Sequence, residues 1–175
     1  TNVEWQQASE LCQQNGKNLC RTQIWEYACN NGVSSSQATP RKHSDCNIGN
    51  NGIIRSSTSS KCQNKDGIVN LIGNVWEWTR DEMIVPEFQM DPTIPWKEIR
   101  GGSFFSDSMK AQCTPLLGYP FSPSNLKSNS LGFRCCREED TLPSSNATTL
   151  QDAIECPANM IATHLGCIDQ YEYPN

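Results

Sequence analysis

The sequence predicts an α+β, disulfide-rich fold with two helices, short twisted antiparallel sheets and abundant ordered loop. Three observations carry this expectation. Two early segments place apolar residues at helical spacing, the later apolar runs are only a few residues long, and ten cysteines are spread over 175 residues. No CxxC pair occurs and the only histidines are His43 and His164, so clustered zinc ligands are missing and disulfides in an oxidising compartment are the expected use of sulfur.

Each element follows in order. Residues 4–15 read as a helix, with Trp5, Ala8, Leu11 and Cys12 on one face and Gly16 placed to stop it. Residues 23–30 read as a second helix, with Thr22 as N-cap, Trp25, Ala28 and Cys29 on a shared face, and Asn30-Asn31-Gly32 as its end. The stretch 33–66, rich in Ser, Asn and Gly, is expected to be mostly loop. Strand-like pieces follow at 75–79, 98–105 and 131–137, separated by irregular segments that hold most of the prolines. Loops of that length fold when something clamps them, and disulfides or a metal ion would do so. Residues 138–155 turn acidic and then Ser/Thr/Asn-rich and read as a linker. In 156–175, Cys156 and Cys167 bracket the apolar pair Met160-Ile161, and Tyr171 and Tyr173 alternate as in a strand.

Composition excludes some functions. A net charge of -5, spread without long runs, offers no basic face for nucleic acid. No apolar stretch reaches the roughly 18 residues that span a bilayer. The start at Thr1 is expected of a mature product or an excised fragment, and the predicted location is secreted, extracellular or cell-surface. Asn146-Ala147-Thr148 is a glycosylation sequon, a short pattern with weight only in some hosts.

Four blocks, in order over residues 3–137, carry a resemblance. They are Val3-Glu4-Trp5 with Ala8, Cys12, Gly16-Lys17 and Leu19, running on to Trp25-Glu26-Tyr27-Ala28-Cys29; Gly73-Asn74-Val75-Trp76-Glu77-Trp78; Arg100-Gly101-Gly102-Ser103; and Leu131-Gly132-Phe133-Arg134-Cys135. Together they resemble the formylglycine-generating-enzyme (sulfatase-modifying factor) family, which implies a C-type-lectin-like fold. The resemblance also implies pairing of Cys12 with Cys135 and of Cys29 with Cys113. Cys46 with Cys62, and Cys156 with Cys167, would close short local loops, which leaves Cys20 for Cys136. A bridge across a hundred-odd residues contributes roughly 4–5 kcal/mol in the chain-entropy model, comparable to a whole domain's net stability.

The same resemblance implies calcium at Asn70-Leu71-Ile72-Gly73-Asn74-Val75-Trp76-Glu77, with side-chain oxygens from Asn70 and Glu77 and carbonyls from Gly73 and Val75. Hard oxygen ligands in a tight turn suit that ion. The competing reading is that Asn70 and Glu77 only cap a turn. Asn47 and Ile48 resemble part of a second family calcium site, but no acidic partner stands in the shortened loop.

The family's oxidase chemistry needs two thiols that bind copper. Their positions, after the Arg-Gly-Gly-Ser block and five residues later, are held here by Ser106 and Ala111. A hydroxyl is a poor ligand for Cu(I) and a methyl is none, so copper is not expected and the chain is predicted to be no enzyme of this kind. His43 beside Asp45 reads as a solvated turn, and no GxSxG, phosphate loop or HExxH occurs. Trp76 and Trp78 could form a ligand platform, but alternating aromatics in a strand usually build core.

The chain order departs from the family. A segment like Cys156-Pro157-Ala158 followed by Cys167-Ile168-Asp169-Gln170-Tyr171-Glu172-Tyr173-Pro174-Asn175 comes first in the family and last here. The division is therefore a core at 1–137, a linker at 138–155 and an arm at 156–175 that completes the fold of the same or the next subunit. The arm could close on its own domain as in a circular permutant, insert into the next copy through Cys167, Ile168, Tyr171 and Tyr173, or mark a window cut from a tandem array. The linker reaches at most about 60 Å, which excludes none of these. Strand exchange between copies is heterologous and gives rings or filaments. Three functions are carried forward: a structural or adhesive module whose partners are copies of itself; a monomeric lectin-like domain that binds an unnamed ligand through loops at 83–97 and 104–130; and a formylglycine-generating oxidase, which the missing thiols disfavour.

Overall fold

The computed structural model describes residues 1–30, 43–56, 61–83, 91, 93–114, 120–137, 156–163 and 166–172. Helix α1, Trp5–Gln14, opens on Glu4, whose side chain and that of Gln7 bond each other's backbone in a capping box. Ala8 and Cys12 are its buried positions, whereas Leu11, expected on the same face, is exposed. Gly16, at φ +65°, ends the helix. Helix α2, Thr22–Cys29, begins one residue earlier than the sequence pattern indicates, with Arg21 rather than Thr22 as N-cap. The free backbone donor of Thr22 is met from outside the helix, by the Asp81 carboxylate at 2.5 Å.

Two four-stranded sheets complete the fold. The first orders β1 (Asn18–Leu19), β6 (Cys135–Arg137), β8 (Gly166–Asp169) and β7 (Met160–Thr163). The second orders β4 (Phe121–Pro123), β3 (Trp96–Arg100), β2 (Trp76–Met83) and β5 (Leu131–Phe133). The expected strand at 131–137 is thus two strands in different sheets, with Arg134 as the crossing residue. The expected strand at 98–105 stops at Arg100, because Gly101 and Gly102 turn the chain at φ +92° and +79°. Strand β2 runs beyond 79 to Met83, with a register irregularity between Trp78 and Glu82. β2 pairs antiparallel with β3 and parallel with β5.

One apolar cluster packs α2 residues Ile24, Trp25 and Ala28 against Ile68, Leu71, Ile72, Ala111 and Ile168. The other packs Ala8 and Leu19 against Trp78, Ile99, Leu131 and Phe133. Trp78 is fully buried and Trp76 packs beside it, so these aromatics are core. Five disulfides use all ten cysteines: Cys12–Cys135, Cys20–Cys136, Cys29–Cys113, Cys46–Cys62 and Cys156–Cys167. The first four lie within residues 1–137 and the fifth within the arm.

The arm forms a hairpin, β7–β8, and β8 lies antiparallel to β6, with Cys136 opposite Ile168 and Arg137 opposite Cys167. In the single chain it therefore closes on its own core. Tyr171 sits in a bend after β8, half-buried, not in a strand as its alternation with Tyr173 indicates. Tyr173, the linker at 138–155 and the sequon at Asn146 lie outside the described residues, as does His164. No described helix is long and apolar enough to cross a membrane.

Candidate functional site

Strand β3 delivers Arg100 into the interior, where it pairs with Glu26 of α2 at 3.1 Å and Glu98 at 2.6 Å. The two glycines that follow bring the chain hard against Ala111: a Cβ on Gly102 would lie 2.7 Å from the Ala111 Cα. Ser106 is buried, and its Oγ accepts the Ser103 backbone N–H at 3.0 Å and lies 3.3 Å from the Ser103 Oγ. Ala111 is fully buried, and Cys113 is bridged to Cys29. Behind the glycine turn, positions 106 and 111 thus carry a buried hydroxyl beside Ser103 and a buried methyl group packed on Gly102. No cysteine in the chain is free.

The turn from Asn70 to Glu77 lies at the junction of both sheets and the arm. Asn70 and Asn74 take positive φ, +57° and +63°, a region Asn tolerates better than most residues. Gly73, at φ +75°, is obligatory on steric grounds too, since a Cβ there would lie 2.5 Å from the Asn47 carbonyl oxygen. Val75 is buried and Glu77 enters β2. Glu77 is not the free ligand its position in the motif implies. Its Oε2 accepts the Trp25 indole N–H at 2.7 Å and the Arg134 Nε–H at 3.1 Å, and its Oε1 accepts an Arg134 Nη2–H at 2.8 Å. Three of the roughly four lone-pair directions of the carboxylate are therefore used. Arg134 also donates to the carbonyls of Val69 and of Asp169 in β8, at 2.9 and 2.7 Å. One fully buried guanidinium ties β2, the turn and the arm together.

A residue outside the expected ligand set joins this cluster. Glu172, just past β8, is buried, and its Oε1 accepts from Ser56 Oγ at 2.9 Å, Asn70 Nδ2 at 3.2 Å and Asn74 Nδ2. Burial, followed by the charge of Glu77, pushes its carboxyl up to about 8. Its Oε2 has no hydrogen-bond partner, and neither does the Oδ1 of Asn70, although both are buried. Asp169 is similar: its Oδ1 pairs with Lys17 at 2.5 Å while its Oδ2 has no hydrogen-bond partner. Orphaned buried oxygens are costly and rare, and a hard cation is one way to satisfy them. On that observation the turn fits calcium at Asn70, with Glu77 mostly committed to Arg134. Among the described residues no three Asp, Glu, His or Cys side chains form a metal-holding group, so amide and carbonyl oxygens would complete any shell.

Asn47, by contrast, is consumed by hydrogen bonds to Asn74, Gly52 and Asn50, and Gly73 packs against the Ile48 side chain. Asp45 is exposed in the short 3-10 turn His43–Asp45, a surface turn. Of the loops expected to face a ligand, 84–90, 92 and 115–119 lie outside the described residues. The sequence reading missed Arg134 as the charge hub and Glu172 as the arm's deepest polar residue. The available signal for Glu172 was a carboxylate three residues beyond the disulfide-bridged strand β8.

This combination defines a disulfide-rich α+β domain of the formylglycine-generating-enzyme type with its cysteine pair absent. Residues 1–139 match the Sulfatase-modifying factor enzyme 1-like domain, and the chain belongs to that family. It is 25% identical to the formylglycine-generating enzyme of Streptomyces coelicolor over 83% of this chain and 54% of that protein. It is 26% identical to the inactive C-alpha-formylglycine-generating enzyme 2 of Bos taurus, over 76% of this chain and 48% of that one. The chain spans about half the length of these curated relatives. Among solved structures, its fold is similar to Treponema denticola variable protein 1, at a TM-score of 0.56 and 15% identity, over 75% of this chain and 68% of that one. CarF is similar too, at 0.57 and 17%, over 77% and 65%. The family therefore includes members without the activity.

Proposed function

We propose that this chain is a catalytically silent, extracellular scaffold module whose C-terminal arm is an exchangeable strand element, docking on its own core or on the next copy. One observation carries the reading. Strand β8 lies inside a four-stranded sheet, between β6 and β7, yet no disulfide joins the arm to the core. Four disulfides staple the core, while the arm is held to it by strand pairing, the Lys17–Asp169 pair, Arg134 and the Glu172 contacts. Such an attachment is reversible, and strand addition to a sheet edge works equally well from a neighbouring molecule. Five disulfides support an oxidising location. A calcium ion on the Asn70–Glu77 turn is the scaffold's proposed structural ion.

The test is size against concentration by analytical ultracentrifugation, on the full chain and on a variant that ends before residue 154 and so lacks the arm. Concentration-dependent oligomers of the full chain that loss of the arm abolishes support exchange, and a full chain that stays monomeric at every concentration refutes it. Copper-dependent oxidation of a cysteine-containing peptide, if catalysed by the purified chain, would overturn the silent reading. A second reading, a ligand-binding module, is favoured by the exposed Phe105 and Met109 on the loop after the glycine turn. It predicts loss of ligand capture in Phe105→Ser/Met109→Ser with the fold intact.

A further inference from the structure

We infer that Glu172 of the arm is a ligand of a calcium-type cation held on the Asn70–Glu77 turn, so that cation binding and arm docking are one equilibrium. This rests on reading the turn as a cation site and extends it to a residue that the turn does not contain. Asn70 and Glu172 touch through the Asn70 Nδ2 and Glu172 Oε1, at 3.2 Å. On those two side chains the other oxygens, Asn70 Oδ1 and Glu172 Oε2, are buried and have no hydrogen-bond partner.

The Glu172 carboxylate is therefore saturated on one side by Ser56, Asn70 and Asn74 and bare on the other. Arg134 makes no hydrogen bond to Glu172; four of its five N–H groups go to Glu77, Val69 and Asp169. Two carboxylates, Glu77 and Glu172, thus share a buried region with one guanidinium. An amide oxygen and a carboxylate oxygen are hard ligands, which selects calcium or a similar ion over copper or zinc. Asn70 belongs to the core and Glu172 to the arm. A cation that needs both binds only the docked arrangement and stabilises it by mass action.

The experiment uses the full chain, stripped with a chelator and titrated with Ca2+ by calorimetry. Amide exchange is followed at 166–172 and, as an internal reference, across β2 and β3. Wild type is expected to bind one equivalent. At a hundred times the dissociation constant, Ca2+ should slow exchange at 166–172 by about a hundredfold relative to the reference strands. Glu172→Gln, which preserves shape, should bind at least about tenfold more weakly and lose that protection. Equal affinity in the variant, or no calcium-dependent change at 166–172 in wild type, overturns the coupling while leaving a cation on the turn. No binding by wild type overturns both. The wild-type exchange measurement decides the matter even if the variant does not fold.

Discussion

Replacing Arg134 by Met tests the charge hub on which both sheets depend. The substitution keeps most of the side chain's length and removes only the guanidinium. Glu77 then loses two of its three donors and keeps the Trp25 N–H, while the carbonyls of Val69 and Asp169 each lose the N–H that Arg134 donates. Both side chains of the pair are essentially inaccessible to solvent, at 0% and 1%. Breaking a buried pair from one side costs about 3–5 kcal/mol, chiefly because the remaining charge is stranded. At about 2–4 °C per kcal/mol for a chain of this length, the melting temperature should fall by roughly 12 °C. Calorimetric melting under non-reducing conditions, with chelator present, measures it. Adding Glu77→Gln removes the stranded charge, so the double variant should recover about 2 kcal/mol relative to Arg134→Met alone. A loss below about 1 kcal/mol for the single change, or a double variant no better than the single one, would refute the assignment of Glu77 as the counter-charge.

Two further outcomes follow from the same structure. Cys12–Cys135 and Cys20–Cys136 span 123 and 116 residues but lie side by side, so with the first intact the second closes an extra loop of only about nine residues, worth about 3 kcal/mol. Cys20→Ala/Cys136→Ala should therefore lower denaturant stability modestly, while removal of all four cysteines should cost about 7 kcal/mol and unfold the chain; equal losses would contradict the nested-loop picture. Gly73→Ala should cost about 2–4 kcal/mol, because strain at φ +75° adds to a clash with the Asn47 carbonyl; Gly16→Ala, at φ +65° with open space around it, should cost only about 1–2 kcal/mol in the same melts.

The legible part of the fold was the part written in local pattern. The helical spacing of Trp25, Ala28 and Cys29, and the stop at Gly16, depend on near neighbours and read directly. Strands β1 and β4 escaped notice because two or three residues carry no period, and their pairing is decided by what lies opposite. Arg134 divides an apparently continuous strand because its side chain is drawn to Glu77, a partner 57 positions away in sequence. Thr22 looked like a cap, but Asp81 from β2 meets its backbone donor. At the site, Asn70 and Glu77 were visible as oxygen-bearing side chains in a tight turn. Their division of labour was not, since it depends on Arg134 and Glu172 arriving from distant segments. Burial decides which oxygen is satisfied, and burial is a property of the assembled molecule.

The two parts of the chain are held by different physics, and that difference bears on function. Four bridges within residues 1–137 restrict the unfolded core so strongly that a small apolar interior and long loops suffice. Restricting the unfolded chain in that way does nothing for an arm that carries only its own bridge, Cys156–Cys167. Arm docking must come from contacts made in the docked state: Ile168 in the apolar interior, a backbone ladder to β6, and charges gathered around Arg134. Undocking would open the sheet at β6 and take Glu172 from Ser56, Asn70 and Asn74, but would leave every disulfide intact. Under the proposed exchange, a vacated core would receive any segment with the same strand and the same carboxylate. A second copy of this chain carries both, so the proposed exchange between copies requires no segment beyond the arm itself.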